Sequence, residues 1–148
     1  MTHGWLNFRR NERGTALLEA ALTLPLILLV SVGIFEFGRA YQTWQVLTNA
    51  AREGARIAVL PGTDDASVTS RVRTYMTDGE LDNAATATVN ITRNNIIAAG
   101  GGTETASRVT VNYPFSFIML QPIASLVAPA STAGAPLTMT ASALMRNE

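Results

Sequence analysis

The stretch RGTALLEAALTLPLILLVSVGIFEFGR, residues 13–39, decides how the rest of this sequence is read. Ala20 to Phe35 is sixteen residues without a charge, twelve of them strongly apolar. Extending back to Thr15 adds one carboxylate, Glu19, and gives 21 residues. At ~1.5 Å rise per residue these make about 31 Å of helix, the thickness of a bilayer's hydrocarbon core. Ahead of the stretch, Arg9, Arg10 and Arg13 stand against Glu12. By the positive-inside tendency that end stays in the cytoplasm and the C-terminal portion is exported.

Three kinds of segment fit such a pattern. A secretory signal peptide has an apolar region of roughly 7–15 residues followed by a small-x-small cleavage site. Here the apolar run is longer and passes into Gly33-Ile34-Phe35-Glu36-Phe37-Gly38-Arg39 without an Ala-x-Ala site. A plain signal anchor explains the length and the flanking charge but not the position of Glu19. An ionisable group at mid-membrane costs about 2.5–3.5 kcal/mol on insertion scales, although one turn into the span it can snorkel to the headgroups.

The third kind accounts for Gly14 and Glu19 together. Arg13-Gly14-Thr15-Ala16-Leu17-Leu18-Glu19 resembles the cleavage site of type IV prepilins: a short basic leader ending in Gly, then a carboxylate at the fifth mature position. The resemblance implies that a membrane-embedded prepilin peptidase cuts after Gly14 at the cytoplasmic face and leaves the apolar helix uncut. Thr15 then carries a new ammonium, with Glu19 four residues on along the same helical face. Between packed subunits that carboxylate neutralises an amine which alone would bear a desolvation cost.

The resemblance extends along the chain through Glu19-Ala20-Ala21-Leu22-Thr23-Leu24-Pro25, Gly33-Ile34-Phe35-Glu36-Phe37-Gly38-Arg39-Ala40-Tyr41 and Leu47-Thr48-Asn49-Ala50-Ala51-Arg52-Glu53-Gly54-Ala55-Arg56. This succession is similar to the TadE-like family, minor pilin-like proteins of tight-adherence (type IVc, Tad/Flp) pilus systems. The match is close from Arg13 to about Leu60 and looser beyond. Asn49, Arg52, Glu53, Gly54 and Arg56 carry the family pattern in the second half of the helix. One residue departs from it: Ala20 stands where subunits of these systems often have an aromatic residue. The resemblance implies a minor pilin or pseudopilin-like subunit held in a bacterial inner membrane. Its implied partners are a prepilin peptidase, other pilin and pseudopilin subunits, and pilus assembly platform proteins. The alternative is a permanent single-pass, signal-anchored membrane protein displaying a small extracytoplasmic binding or sensing domain.

Beyond the apolar run the helical pattern continues. Phe37, Tyr41, Trp44, Thr48, Ala51, Ala55 and Ala58 recur at steps of four and three and define one face of a helix. Arg39, Gln42, Asn49, Arg52, Glu53 and Arg56 lie opposite. Pro61-Gly62 stops the helix, so it is expected to run to Leu60. Pro25 removes a backbone hydrogen bond and is expected to kink the span. Gly54, with Ala50, Ala51, Ala55 and Ala58, makes a narrow face for close approach, expected to meet the protein's own sheet.

The remainder reads as a small domain. Asp64 or Asp65 caps a helix through about Tyr75, with Val68, Val72 and Tyr75 on one side. Strands are expected over Thr86–Arg93, Ser107–Phe117 and Leu137 to about Met145, from alternation of apolar and polar residues. Ala98 to Thr103 is a glycine-rich hairpin tip. Ile118 to Val127, apolar and interrupted by Pro122, reads as a partly helical crossover or an exposed apolar loop. The expected fold is α+β and pilin-like: a long N-terminal helix packed on an antiparallel sheet of three to four strands. Its expected divisions are a basic leader (1–14), a transmembrane and assembly helix (15–35), its amphipathic continuation (36–60) and a small extracytoplasmic domain (61–148).

The composition narrows the chemistry. There are eleven Arg, no Lys, no Cys, and one histidine, His3. Thiolate nucleophiles, Cys-ligated metals, Lys Schiff bases and the usual phosphate-loop lysine are therefore excluded. A formal net charge of zero lacks the basic surplus of a general nucleic-acid binder. Asp78, Glu80 and Asp82 alternate as Ca²⁺ ligands can, but without the glycine and distant Glu of an EF-hand loop. They read as a solvated turn. Catalysis and cofactors are not expected.

Overall fold

A computed structural model describes residues 12–99 and 102–147. The leader residues up to Asn11, and Gly100 and Gly101 at the expected hairpin tip, lie outside the described residues. The element order is α1 (Glu12–Ala58), α2 (Asp65–Asp78), a single 3-10 turn (Ala84–Thr86), β1 (Thr88–Ala99), β2 (Gly102–Phe115), α3 (Leu120–Val127) and β3 (Leu137–Arg146). The architecture is α+β: a long N-terminal helix lies on a three-stranded antiparallel sheet in the order β1-β2-β3.

α1 runs for 47 residues without interruption, through Pro25. Its apolar half is bare. In its most apolar 18-residue window mean hydropathy is 2.3 and only 6% is buried, so α1 is long and apolar enough to cross a membrane. Polar side chains there close on the helix itself: the Thr23 hydroxyl donates to the Glu19 carbonyl (2.9 Å) and Ser31 to that of Ile27 (2.8 Å). Such back-bonding leaves no hydroxyl unpaired when the surroundings are apolar.

The second half of α1 forms one wall of the core, and the face that Phe37 begins contributes Ala51, Ala55 and Ala58 to it but not its aromatic residues. Phe37, Tyr41 and Trp44 are exposed, whereas Glu36, Thr43, Leu47, Ala50, Ala51, Gly54, Ala55 and Ala58 are buried. Two stripes fit steps of three and four equally well. The series Glu36, Ala40, Thr43, Leu47, Ala50, Gly54 runs one residue, about 100° of helix, from the aromatic one, and beyond Leu47 the buried surface takes in Ala51, Ala55 and Ala58 of the latter as well. The sheet takes the stripe of small residues because closer approach brings more atoms into contact. α1 ends at Ala58, two residues earlier than expected, since the residue before Pro61 is turned away from helical backbone. Leu60 N–H closes the turn on the Ile57 carbonyl (3.1 Å), and Gly62 supplies the positive φ of +79° that follows.

Arg93 completes that terminus. Its guanidinium donates to the carbonyls of Ala58 (2.6 Å) and Thr63 (2.9 Å) and to the Asp65 carboxylate (2.8 Å). A cation on the last free carbonyls complements the helix dipole and ties the turn to the sheet. Asp64 caps α2, its Oδ1 accepting from the Ser67 N–H (3.0 Å). α2 runs three residues beyond the expected Tyr75, and Met76 rather than Tyr75 joins Val68 and Val72 in the core.

The sheet shows one face to the helices and the other to solvent. Val89, Ile91, Val109, Val111, Tyr113, Phe115, Met139, Ala141 and Ala143 line the inner face. Val89 stands opposite Val111, Ile91 opposite Val109, and Val111 opposite Ala141. β1 outlasts its expected end because a register shift between Thr92 and Asn95, with Asn94 at φ 56°, lets pairing resume toward the hairpin. β2 begins five residues earlier than expected for the same reason, and ends at Phe115.

Gly54 sits where three elements meet. A Cβ there would lie 2.5 Å from Val72 Cγ2 of α2 and 3.2 Å from Val109 Cγ1 of β2. The sheet is thus one of two close neighbours. Gly54→Leu should destabilise the full chain in detergent by about 1–3 kcal/mol through overpacking, measured by thermal unfolding. Gly38→Ala, where nothing lies within 4 Å, should be neutral or stabilising by up to about 1 kcal/mol.

Candidate functional site: the long helix and its three attachments

The residues singled out at the start of α1 lie on its bare portion. Gly14, Thr15 and Glu19 are exposed and Pro25 is half-buried. Gly14 and Thr15 fall in the first turn of α1, and Glu19 follows Thr15 by one turn on the same face. Around them Leu17, Leu18 and Leu22 are about two-thirds exposed. This surface has no partner among the described residues, so its apolar area is open to lipid or to other helices.

The family-pattern residues of the second half have intramolecular roles. Glu53 accepts from Arg56 Nε (2.9 Å) and Nη2 (2.8 Å) one turn away, and from Arg71 Nε (3.1 Å) on α2. One carboxylate thus stiffens α1 and fastens α2 to it. Asn49 borders a groove between the two helices with Gln42, Gln45, Arg71 and Tyr75. Arg52 is exposed, and Gly54 permits the approach described above.

A third attachment was not anticipated. Glu36 follows the apolar run directly and is fully buried. Its Oε1 accepts the backbone N–H groups of Ile118 (2.9 Å) and Met119 (2.8 Å), and its Oε2 accepts from Arg39 Nη2 (2.9 Å). Arg39 also donates to the Ser116 carbonyl, and its guanidinium lies 4.6 Å from the centre of the Phe115 ring. A carboxylate is acceptable inside a fold when charge and hydrogen bonds compensate it, and here both do. Met119 precedes α3 and offers that helix no side-chain cap. Glu36 supplies the acceptor from another element. The sequence held one signal for this: Glu36 and Arg39, three residues apart within Phe-Glu-Phe-Gly-Arg, are the first charges after the span.

Among the described residues no group of three or more His, Cys, Asp or Glu side chains could hold a metal ion. Asp78, Glu80 and Asp82 are therefore not gathered into a cation site. Asp78 ends α2, and Glu80 turns the chain with φ 59°.

A helix long and apolar enough to cross a membrane is thus joined to a small α+β domain, and its exposed surface precedes its core-forming surface. Residues 14–56 match the model of the family described as TadE-like protein. That segment is the long helix from Gly14 to the Glu53–Arg56 pair. No curated protein and no solved structure matches the chain.

The Glu53 cluster has a pH signature. Hydrogen bonding from Arg56 lowers the Glu53 pKa from 4.5 to about 2; burial opposes this, and Arg71 adds to the lowering. A depressed folded-state pKa gives stability that is present above the unfolded value and lost as pH falls from 4.5 toward about 2. Glu53→Gln should cost about 1 kcal/mol at neutral pH. The gap from wild type should close below pH 4.5, measured by thermal unfolding across a pH series. A gap unchanged with pH would remove the ion cluster as its cause.

Proposed function

We propose that the protein is a minor pilin or pseudopilin-like subunit for a type IVc (Tad/Flp) pilus, processed by a prepilin peptidase after Gly14. The observation that carries this reading is the match of residues 14–56 to the TadE-like family on a helix whose apolar half is uncovered within the chain. Residues 15–35 serve first as the anchor in the inner membrane and later as the packing surface among pilin and pseudopilin subunits. The domain over 61–148 is exported, and the assembly platform draws on the anchored pool.

The proposed cleavage follows from the physics of a helix start. A peptidase needs an extended bond, and the Gly14–Thr15 bond lies in the first turn of α1. The N–H groups of that turn have no intrahelical partners. Glycine adds about 1 kcal/mol of helix-weakening relative to alanine, so this turn opens at low cost. Cleavage removes a leader with three Arg and one Glu and leaves eight Arg and ten acidic residues. The new Thr15 ammonium then stands one turn from Glu19, and either can neutralise its counterpart on a neighbouring subunit during registration.

Intact mass after co-expression with a Tad-type prepilin peptidase tests the proposal. A chain beginning at Thr15 is expected, and Gly14→Leu should retain the leader. An unprocessed wild-type chain would instead support the permanent signal anchor. Glu19→Ala should be processed yet fail to co-purify with partner subunits. Normal assembly of that variant would remove the charge pairing.

A further inference from the structure

α3 presents an apolar face that the pilin reading leaves without a use. Ile118 and Met119 before it and Leu126 within it are 62, 54 and 72% exposed, while Leu120 and Ala124 point into the protein. Met119, Pro122 and Leu126 recur at steps of three and four, on one side of the helix. The Glu36 carboxylate fixes the height of this face along α1. It binds the N–H groups of Ile118 and Met119 at the first residue after the 15–35 span. Ile34, Phe35 and Phe37 of α1, each 64–71% exposed, lie at that level. Phe37 meets Phe117 edge-on at 6.2 Å, which joins the two apolar surfaces.

Charge is distributed to match. No charged residue occurs between Arg108 and Arg146, a segment containing α3, the end of β2, most of β3 and the connection between the strands. That connection folds back on α3. Gly134, with φ +83°, approaches so closely that a Cβ would lie 2.6 Å from the Gln121 nitrogen. The charged helix is α2 instead, where Asp65, Arg71, Arg73 and Asp78 are exposed.

We propose that α3 is a lipid-facing foot. Through Ile118, Met119, Pro122 and Leu126, with Phe37 beside them, the exported domain rests on the outer surface of the bilayer that α1 crosses. This rests on the reading of 15–35 as the membrane span. Lipid is the occupant because the face is continuous with the exposed end of that span, and its first residues, Ile118 and Met119, are held beside Glu36, where the headgroup zone of about 5–7 Å begins. Aromatic residues such as Phe37 and Tyr41 just past a span are suited to that zone. Because the foot carries no charge, its insertion is driven by apolar burial and is insensitive to anionic lipid and to salt.

The chain has no cysteine, so single labels can be placed freely. Ile118→Cys, Leu126→Cys, Ile27→Cys in the span and Thr77→Cys on α2 are labelled with the fluorophore NBD. The full-length proteins are reconstituted into phosphatidylcholine vesicles containing lipid with a nitroxide near the headgroup or, to read the label at 27, lipid with a nitroxide partway down the acyl chain. Labels at 118 and 126 should be quenched several-fold more than the label at 77, equally with added phosphatidylglycerol or high salt. Quenching at 27 with none above the Thr77 level at 118 and 126 would overturn the foot and leave the span standing. No quenching at 27 would overturn both. Blue-shifted emission at 118 and 126 that grows with protein density, without nitroxide quenching, would assign the face to a second subunit and overturn the lipid assignment.

Discussion

Everything in this molecule depends on how closely a helix can approach other backbone. Ala50, Ala51, Gly54, Ala55 and Ala58 present at most a methyl group, and all are buried. The bulk that fills the core comes from the opposing elements: Val68, Val72 and Met76 on α2, and Val109, Val111, Tyr113 and Phe115 on β2. Larger residues on the helix would hold α2 and the sheet apart and leave voids between them. A globular part of fewer than ninety residues buries too little surface to spare such a wall. α1 is therefore part of the domain's core, as well as its tether.

The same helix is fastened to the domain at separate heights, each time by a charge. Glu36 holds the start of α3, Glu53 holds Arg71 of α2, and the terminal carbonyl of Ala58 accepts from Arg93 of β1. Sliding or rotating α1 would break directional bonds at several levels, whereas its apolar contacts alone would tolerate a slip. Two of the attachments use carboxylates paired with arginines, which hold geometry through two or more hydrogen bonds. The orientation of the domain relative to the helix axis is thereby fixed by the chain itself.

Much of this was legible in the residues. The apolar run, the Asp64 cap, the alternation at Val109, Val111, Tyr113 and Phe115, and Met139, Ala141 and Ala143 of the last strand lie as their periodicity requires, while Leu137 at the start of that strand is exposed. What escaped was phase and long-range pairing. A period of 3.6 residues identifies a helix without saying which of two adjacent stripes is buried. Hydrophobicity favoured Phe37, Tyr41 and Trp44, and packing distance favoured their small neighbours. Glu36 and Arg93 have partners 82 and 35 residues away in the chain. No local pattern encodes such separations. The β1 bulge was hidden similarly, because one extra residue at Asn94 inverts the alternation that marks a strand.

The two carboxylates bordering the apolar run make opposite use of the same chemistry. Glu36 is taken out of water and answered within the chain by two backbone N–H groups and a guanidinium. It is internally complete and needs no second molecule. Glu19, with Leu17, Leu18 and Leu22 close by in the sequence, remains on a surface that no other described residue covers. In an apolar setting it gains most from an opposite charge nearby, because a desolvated ion binds a counter-ion more strongly than a hydrated one does. A carboxylate with its partners in the fold acts as a structural joint. One held bare on the apolar half of a helix is suited to a partner created later, such as the Thr15 ammonium that the proposed cleavage would release. The covered half of α1 builds the domain, and the uncovered half is the surface on which the proposed filament contacts would form.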